Sequence, residues 1–269
     1  MVHQTLFSTT LDNGIVLLGE ELPGLESIAV AFHTPAGAVH DPPGSAGRAT
    51  LAGEMMLRGA GDRDSRAIVE DFENLGVQWS QGVTTSHASF SGAMVARQLP
   101  EALPLYADIL RRPRLDPDEF EKARQVVLNN LAGTEDDPAH RVISAVRRLA
   151  YPAPWGMPAE GVSADVERAT LDEVRAFVDA HVRPCGTIIA VAGRIDWHDF
   201  VRRIDDLLGD WHAAAAPPVT TRQRGPRLEH VPHDSQQTHI ALAWSLPPYR
   251  DRSEEHTSEL QSRVDISYA

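Results

Sequence analysis

The sequence predicts an α+β fold in which a mainly antiparallel sheet has helices packed on one side. Strand patterns open the chain, where Gln4–Thr10 and Ile15–Glu20 flank Asn13-Gly14, a pair that readily supplies the positive φ angles of a tight hairpin turn. Helical and strand patterns follow through the rest of the chain, and the apolar run Gly186–Gly193 is typical of a buried strand. One layer of strands covered by one layer of helices buries both kinds of apolar face.

The remaining elements follow from hydrophobic periodicity. Further strands are predicted at 27–34, 77–81 and 88–95, and helices at 47–58, 65–75, 103–112, 117–132, 138–149, 170–181 and 196–208. Ser65 is interpreted as the N-cap of the second helix, and Pro104 is placed in the opening turn of the third. Thr170 and Glu173 have capping-box spacing, and the triplet 59–61 is interpreted as a turn that ends a helix.

Composition divides the chain into unequal parts. Residues 1–212 are predicted to form an N-terminal α/β domain, and the stretch 213–226, which begins AAAAPP, reads as a linker. A second strand-rich unit is expected to start in 227–251. Residues 252–262, RSEEHTSELQS, are what a sequencing-library adapter encodes, and the closing ISYA fits the same adapter. We therefore interpret 252–269 as a fusion scar and exclude it from fold reasoning.

Charge and cysteine content limit the function classes. The formal net charge is −13, which repels phosphate backbones and anionic lipid, so neither nucleic acid nor a membrane is expected as a partner. Cys185 is the only cysteine, which excludes an intrachain disulfide framework and a thiolate zinc site. The first residues lack the basic and apolar regions of a secretory signal. These features together predict a cytoplasmic protein.

Several dispersed segments resemble the pitrilysin/insulinase family of zinc metallopeptidases in order and spacing. They are TLDNGIVLL, AVAFHTPAGAVHD, GRATLAGEMMLRGAG, SRAIVEDFENLG, EFEKARQVVLNNLAGTEDDP, TLDEVRAFVDAHVRP and IIAVAGRIDWHDFVRRIDDLLGDW, which together span most of residues 1–250. The resemblance implies a protein of two homologous halves that close like a clamshell. This chain would supply the first half and a truncated start of the second.

Active members of that family carry H-x-x-E-H on the first helix. Positions i and i+4 lie one turn apart, so both imidazoles reach one zinc ion, while the intervening glutamate acts as general base. A glutamate on a later helix is the third protein ligand. Alignment on Gly47 and Met55 places Thr50, Gly53 and Glu54 at the three motif positions, and Asn130, or Asn129 if the register slips by one residue, at the later one. None of the four is the family's residue, so no catalytic residue, metal ligand or cofactor is expected here.

Two other groups of residues are candidate sites. His230, His233 and His239 lie close in sequence and suggest zinc, but on a strand His233 and His239 would be about 20 Å apart. We therefore favour polar histidines at a strand edge. Cys185, at the start of a buried-strand pattern, is interpreted as a structural thiol rather than a nucleophile. The sequence contains no nucleophile elbow, phosphate-binding loop or dinucleotide-binding motif.

Three functions remain open. The favoured one is a non-catalytic subunit that pairs with a zinc-bearing homologue, forms a heterodimer and helps to enclose and process peptides in a chamber. The second is an active zinc metalloendopeptidase with displaced ligands, and the third is a purely structural homologue of the family.

Overall fold

The computed structural model describes residues 5–135, 137–212, 214, 218–221, 228–232 and 237–245. Within these ranges the strands are β1 (Thr5–Thr10), β2 (Val16–Glu21), β3 (Ser27–Thr34), β4 (Gly59–Ala60), β5 (Arg63–Asp64), β6 (Gln78–Val83), β7 (Ala88–Val95) and β8 (Ile188–Gly193). The helices are α1 (Arg48–Met56), α2 (Ser65–Asn74), α3 (Leu99–Arg111), α4 (Pro117–Glu135), α5 (Pro138–Ala150), α6 (Ser163–Arg168), α7 (Leu171–His181) and α8 (Trp197–Leu208).

Six strands form one sheet in the order β1-β2-β8-β3-β7-β6. All neighbours are antiparallel except β2 and β8, which run parallel. Strands β1 and β6 are the two edges. The predicted α+β class, with a mainly antiparallel sheet, is therefore confirmed.

The core lies between the sheet and the helices, because the central strands β3, β7 and β8 alternate buried residues with more exposed ones. In β3, Ile28, Val30 and Phe32 are buried against the helices, and Phe32 stacks on Tyr106 of α3 with ring centroids 4.8 Å apart. The opposite face of the sheet is open in the part of the chain that is described. It consists mainly of small residues with a few larger ones, including Leu6, Leu18, Ala29, Ala31, Ser91, Ala93, Ala190 and Ala192.

Several local predictions were wrong in detail. Asp64, not Ser65, caps α2, since its side chain accepts a hydrogen bond from the Ala67 N–H at 2.8 Å. Helix α3 begins at Leu99, so Pro104 lies inside the helix rather than in its opening turn, which instead contains Pro100. The expected turn at 59–61 includes β4, whose two residues pair with β5. Helix α6 was not predicted, because six residues are too few to show a helical period.

The segment expected to start a second unit has no assigned strand over 228–232 and 237–245. Its large apolar residues Ile240, Leu242 and Trp244 are 78%, 69% and 74% exposed. They occur at alternate positions, as in a strand with one apolar face, but a strand requires a neighbour to pair with. The predicted domain boundaries at 212 and 226 fall at or near residues that are not described. No helix in the described ranges is long and apolar enough to cross a membrane.

Candidate functional site

Helix α1, which carries three of the four degenerate positions, is held at its start by a half-buried carboxylate. Gly47, the N-cap, has φ +103° and no side chain with which to cap the helix. Asp41 takes over this task, accepting hydrogen bonds from the Gly47 N–H at 2.7 Å and the Ala49 N–H at 2.8 Å. Arg48 is fixed by a 2.6 Å ion pair with Glu173 in the first turn of α7.

The loop after α5 packs tightly on the start of α1. A Cβ at Gly161 would lie 2.4 Å from the Gly47 Cα, so only glycine permits this approach of the two backbones. The Val162 N–H donates to the Ala46 carbonyl at 3.2 Å, which joins the two segments. This contact places the Ala159 carbonyl beside α1, where the hydroxyl of Thr50 donates to it at 2.7 Å.

Glu54 is also part of the internal structure. Its carboxylate pairs with Arg58 one turn later at 2.8 Å, and Arg58 also pairs with Glu119 of α4 at 3.1 Å. The side chains of Glu54, Arg58 and Glu119 are 23%, 18% and 17% exposed, so this charge cluster is largely shielded from water. The hydrogen bond from Lys122, followed by that from Arg58, keeps the pKa of Glu119 below its usual value.

Gly53 faces strand β6, and its missing side chain leaves space that another residue fills. A Cβ built on Gly53 would lie 2.3 Å from Gln81 Nε2 and 3.2 Å from Val83 Cγ2. The carboxamide of Gln81 therefore lies over the position from which the general base of an active member would project. Sequence reasoning missed Gln81, because nothing in the local pattern of β6 marks it.

Asn130 lies on the exposed side of α4, beside Asn129, whose side chain accepts a hydrogen bond from Gln125. The buried face of α4 is formed instead by Phe120, Ala123 and Val127. The four sequence positions thus give a neutral hydroxyl that is already bonded, a glycine, a carboxylate already paired and an exposed amide. This donor set does not fit the zinc ion of the family.

Two histidines and Asp41 form a desolvated group beside the N-terminus of α1. The rings of His40 and His181 stack with centroids 4.3 Å apart, and His181 Nδ1 is buried without a hydrogen-bond partner. Burial lowers the pKa of His181 to about 4, with smaller contributions from the charges of His40 and Arg183. Burial also raises the pKa of Asp41 to about 6, against the opposing effect of its hydrogen bonds to Gly47 and Ala49.

The other sequence candidates do not converge. His230 and His239 line a cavity of about 570 Å³ between α5, the 158–162 loop and residues 229–231 and 237–239, whereas His233 lies outside the described residues. Among the residues that are described, no three His, Cys, Asp or Glu side chains are arranged to hold a metal ion. Cys185, interpreted as a structural thiol at the start of a buried strand, is exposed in the turn before β8.

Comparison with known proteins identifies the scaffold. The profile of the insulinase family, peptidase family M16, matches residues 17–158, and that of the peptidase M16 inactive domain matches residues 168–262. The chain belongs to peptidase family M16. The second match runs past Arg252 into the segment interpreted as a fusion scar, which lies outside the described residues.

Relatives from M16 fall into peptidases and peptidase subunits. The chain is 25% identical to an uncharacterized zinc protease of Mycobacterium tuberculosis over 89% of its length and 56% of that protein's. It is 22% identical to the mitochondrial-processing peptidase subunit alpha of Solanum tuberosum, over 89% of its length and 47% of that protein's. The chain thus spans about half the length of these curated relatives.

Solved structures share the fold. A peptidase M16 inactive domain from Pseudomonas fluorescens has a TM-score of 0.73 at 19% identity, covering 82% of this chain and 54% of that one. The first half of the periplasmic protease PqqL from Escherichia coli has a TM-score of 0.71 at 18% identity, covering 82% and 48%. The fold is that of an M16 half, as the resemblance implied.

Proposed function

We propose that this chain is the non-catalytic subunit of an M16 peptidase, and that it pairs with a zinc-bearing homologue to enclose and process peptides. One observation carries the proposal: the helix that bears the zinc motif in active members keeps its place, while its motif positions have other tasks. Thr50 holds the 159 loop, Glu54 belongs to the Arg58 cluster, and Gly53 makes room for Gln81.

Two features of α1 support a binding role without hydrolysis. There is no side chain at Gly53 to act as a general base, and Thr50 and Glu54 replace the two imidazoles that would hold the metal. The helix itself is nevertheless well anchored, by Asp41, Arg48 and the 159–162 loop. Both features fit a chain whose folded shape is needed for binding and whose hydrolytic residues are not needed.

The sheet edge next to α1 supports peptides as the ligand. Strand β6 is an edge strand packed beside α1, so one row of its N–H and C=O groups has no strand partner in the described part of the chain. Such an edge accepts an extended peptide by adding one strand to the sheet, with main-chain hydrogen bonds that do not depend on sequence. A folded protein whose strands are all paired or covered cannot present a free strand in this way.

In this proposal, a homologous zinc-bearing chain supplies the catalytic site that this chain lacks. The potato relative is named as a subunit, and the relative from M. tuberculosis is named as a zinc protease, so the family contains chains of both descriptions. We place the assembly in the cytoplasm, with no nucleic acid or lipid ligand, on the strength of the −13 net charge and the single cysteine.

Co-expression tests this proposal directly. The product of the whole reading frame, expressed with an M16 homologue that has an intact H-x-x-E-H motif, should elute as one complex in size exclusion and should raise cleavage of unfolded peptides. Alone, it should contain no stoichiometric zinc by elemental analysis and cleave no peptide. Near-molar zinc with chelator-sensitive cleavage would favour an active enzyme with displaced ligands. Two separate peaks and unchanged activity would favour a structural homologue.

A further inference from the structure

The open face of the sheet, on the side away from the helices, is largely apolar and uncovered in the described part of the chain. It forms a shallow depression of about 740 Å³. Leu6 on β1 is 72% exposed at its border, and Leu18 on β2 is 40% exposed. Soluble monomers rarely leave a broad apolar surface in water, so such a face indicates contact with another surface.

The two sides of the open face differ in the size of their side chains. The sheet order puts β1, β2 and β8 on one side of the centre, and β3, β7 and β6 on the other. Leu6 and Leu18 make the first side a ridge. The outward positions of β3 and β7 form a floor of small residues, namely Ala29, Ala31, Ser91 and Ala93.

A two-fold axis parallel to the strands would bring two copies of this face together. If the axis lies above the centre of the sheet, it exchanges the two sides, so β2 of one copy covers β7 of the other. Leu18, Ala190, Ala31 and Ser91 are successive partners in one row across the sheet, and the rotation keeps this row in place. Leu18 of each copy therefore lies over Ser91 of the other. The face is complementary to itself, as a symmetric dimer interface requires.

The charge of the open face also suits a second copy. Glu20 is the one ionisable residue among the described residues that line the depression. Its row across the sheet ends at Gln78, with Ala93 next to it. The same rotation places Glu20 over Ala93 of the other copy and beside Gln78, whose carboxamide can donate a hydrogen bond to the carboxylate.

The area of the face is sufficient for a reversible dimer. Six strands about 4.8 Å apart, each with about six residues of 3.3 Å, cover roughly 24 Å by 20 Å. Two copies would together bury about 1,000 Å², which is at the lower end of specific interfaces. We propose that this chain forms a symmetric homodimer through the open face of its sheet, with the leucine ridge of each copy on the small-residue floor of the other. The inference is independent of the proposed function.

The salt dependence of the dimer follows from its apolar interface. Each copy has a net charge of −13, so the two copies repel each other at low ionic strength. Added salt screens this repulsion and leaves the apolar contact intact, so the dimer should become tighter as salt rises. An interface held by ion pairs would become weaker instead, and that outcome would overturn the inference.

Sedimentation equilibrium of the 269-residue chain tests the proposal. We expect a monomer–dimer equilibrium with a Kd in the micromolar range. Ala29→Lys places a charge at the centre of the interface, over Ala192 of the other copy, and should raise the Kd at least tenfold. Ala132→Lys adds the same charge at an exposed position of α4 and should leave the Kd unchanged. Leu18→Ser removes the ridge without a change of charge and should also raise the Kd about tenfold, which guards against a misfolded lysine variant.

Cross-linking tests the predicted arrangement of the two copies. In a Cys185→Ser background, a Leu18→Cys chain mixed with a Ser91→Cys chain should be joined by a short bis-maleimide. Leu18→Cys chains alone should be joined much less, since their thiols lie on opposite sides of the axis. A monomeric wild type, equal Kd values for Ala29→Lys and wild type, or equal cross-linking in the two mixtures would each overturn the inference. A monomer whose Ala29→Cys thiol resists maleimide would show that another part of the same chain covers the face.

Discussion

The carboxamide of Gln81 packs against Gly53, since a Cβ built on Gly53 would lie only 2.3 Å from Gln81 Nε2. The two residues are 28 positions apart and lie on different elements. Glycine inside a helix costs about 1 kcal/mol relative to alanine. Gly53 is nevertheless accommodated in the middle of α1 because a larger residue there would collide with the Gln81 side chain.

The pair predicts an unusual response to Gly53→Ala. Helix propensity alone would stabilise the fold by about 1 kcal/mol. The added methyl group must displace the Gln81 amide and press on Val83 Cγ2 at 3.2 Å, so we expect the free energy of unfolding to change by much less, or to fall. Urea unfolding of the two proteins measures the difference.

Two control variants make this measurement decisive. Gly133 lies in α4 with no atom within 4 Å of a built Cβ, so Gly133→Ala should stabilise by about 0.5–1 kcal/mol. In a Gln81→Ser background, Gly53→Ala should recover a similar gain. If Gly53→Ala in the unmodified chain raises the free energy of unfolding by the full gain of about 0.5–1 kcal/mol expected of Gly133→Ala, the Gln81 side chain moves aside without loss of stability.

Restoring the family motif should not by itself restore the metal site. The triple change Thr50→His, Gly53→Glu and Glu54→His supplies two imidazoles and a base, but Asn130 leaves zinc with two protein ligands. It also breaks the bond from Thr50 to the Ala159 carbonyl and leaves Arg58 without Glu54. We expect weak zinc binding by calorimetry, and clearly tighter binding when Asn130→Glu is added. Tight binding by the triple variant would mean that the fourth ligand position is misassigned.

Strong local patterns explain what the sequence could predict. The alternation in Ser27–Thr34 and the capping box of Thr170 and Glu173 are encoded within a few residues, and the structure has both where they were expected. The degenerate positions of the zinc motif could also be located, because their spacing is fixed by the helix. The resemblance to the family then supplied the fold of the whole half.

The contacts that define the site could not be predicted, because they join distant segments. Nothing near Gln81 in sequence indicates that it faces Gly53, and nothing near Thr50 indicates the Ala159 carbonyl, 109 residues away. Asp41 resembles a loop residue until the fold brings its carboxylate to the N–H groups of α1. These contacts depend on tertiary packing, which overrides local preference.

The start of α2 offers a direct test of one local correction. The Asp64 side chain caps the helix through the Ala67 N–H, whereas Ser65 is already the first residue of the helix. Asp64→Ala should therefore lower the free energy of unfolding by about 1 kcal/mol, and Ser65→Ala should change it by only a few tenths. The reverse ranking in urea unfolding would restore Ser65 as the cap.

His181 and Asp41, which form one group with His40, should make the stability of the fold depend on pH below pH 7. Their two contributions oppose each other. The pKa of His181 is about 4 in the folded protein and 6.5 in the unfolded chain, so between these values the unfolded chain binds the proton more readily. Stability is therefore lost as the pH falls through this window. The pKa of Asp41 is about 6 in the folded protein and 3.8 in the unfolded chain, so its protonation adds stability as the pH falls.

Substitutions separate the two components. His181→Gln cannot be protonated, so the melting temperature should fall less between pH 7 and about pH 5 than in the wild type. Asp41→Asn removes the compensating proton, so the melting temperature should fall more over the same interval, and the loss of one acceptor at the start of α1 should lower it at pH 7 as well. His198→Gln, at an exposed position of α8, is the control for the removal of one imidazole. If His181→Gln has the wild-type acid limb, the buried ring next to His40 and Arg183 is not the group that titrates.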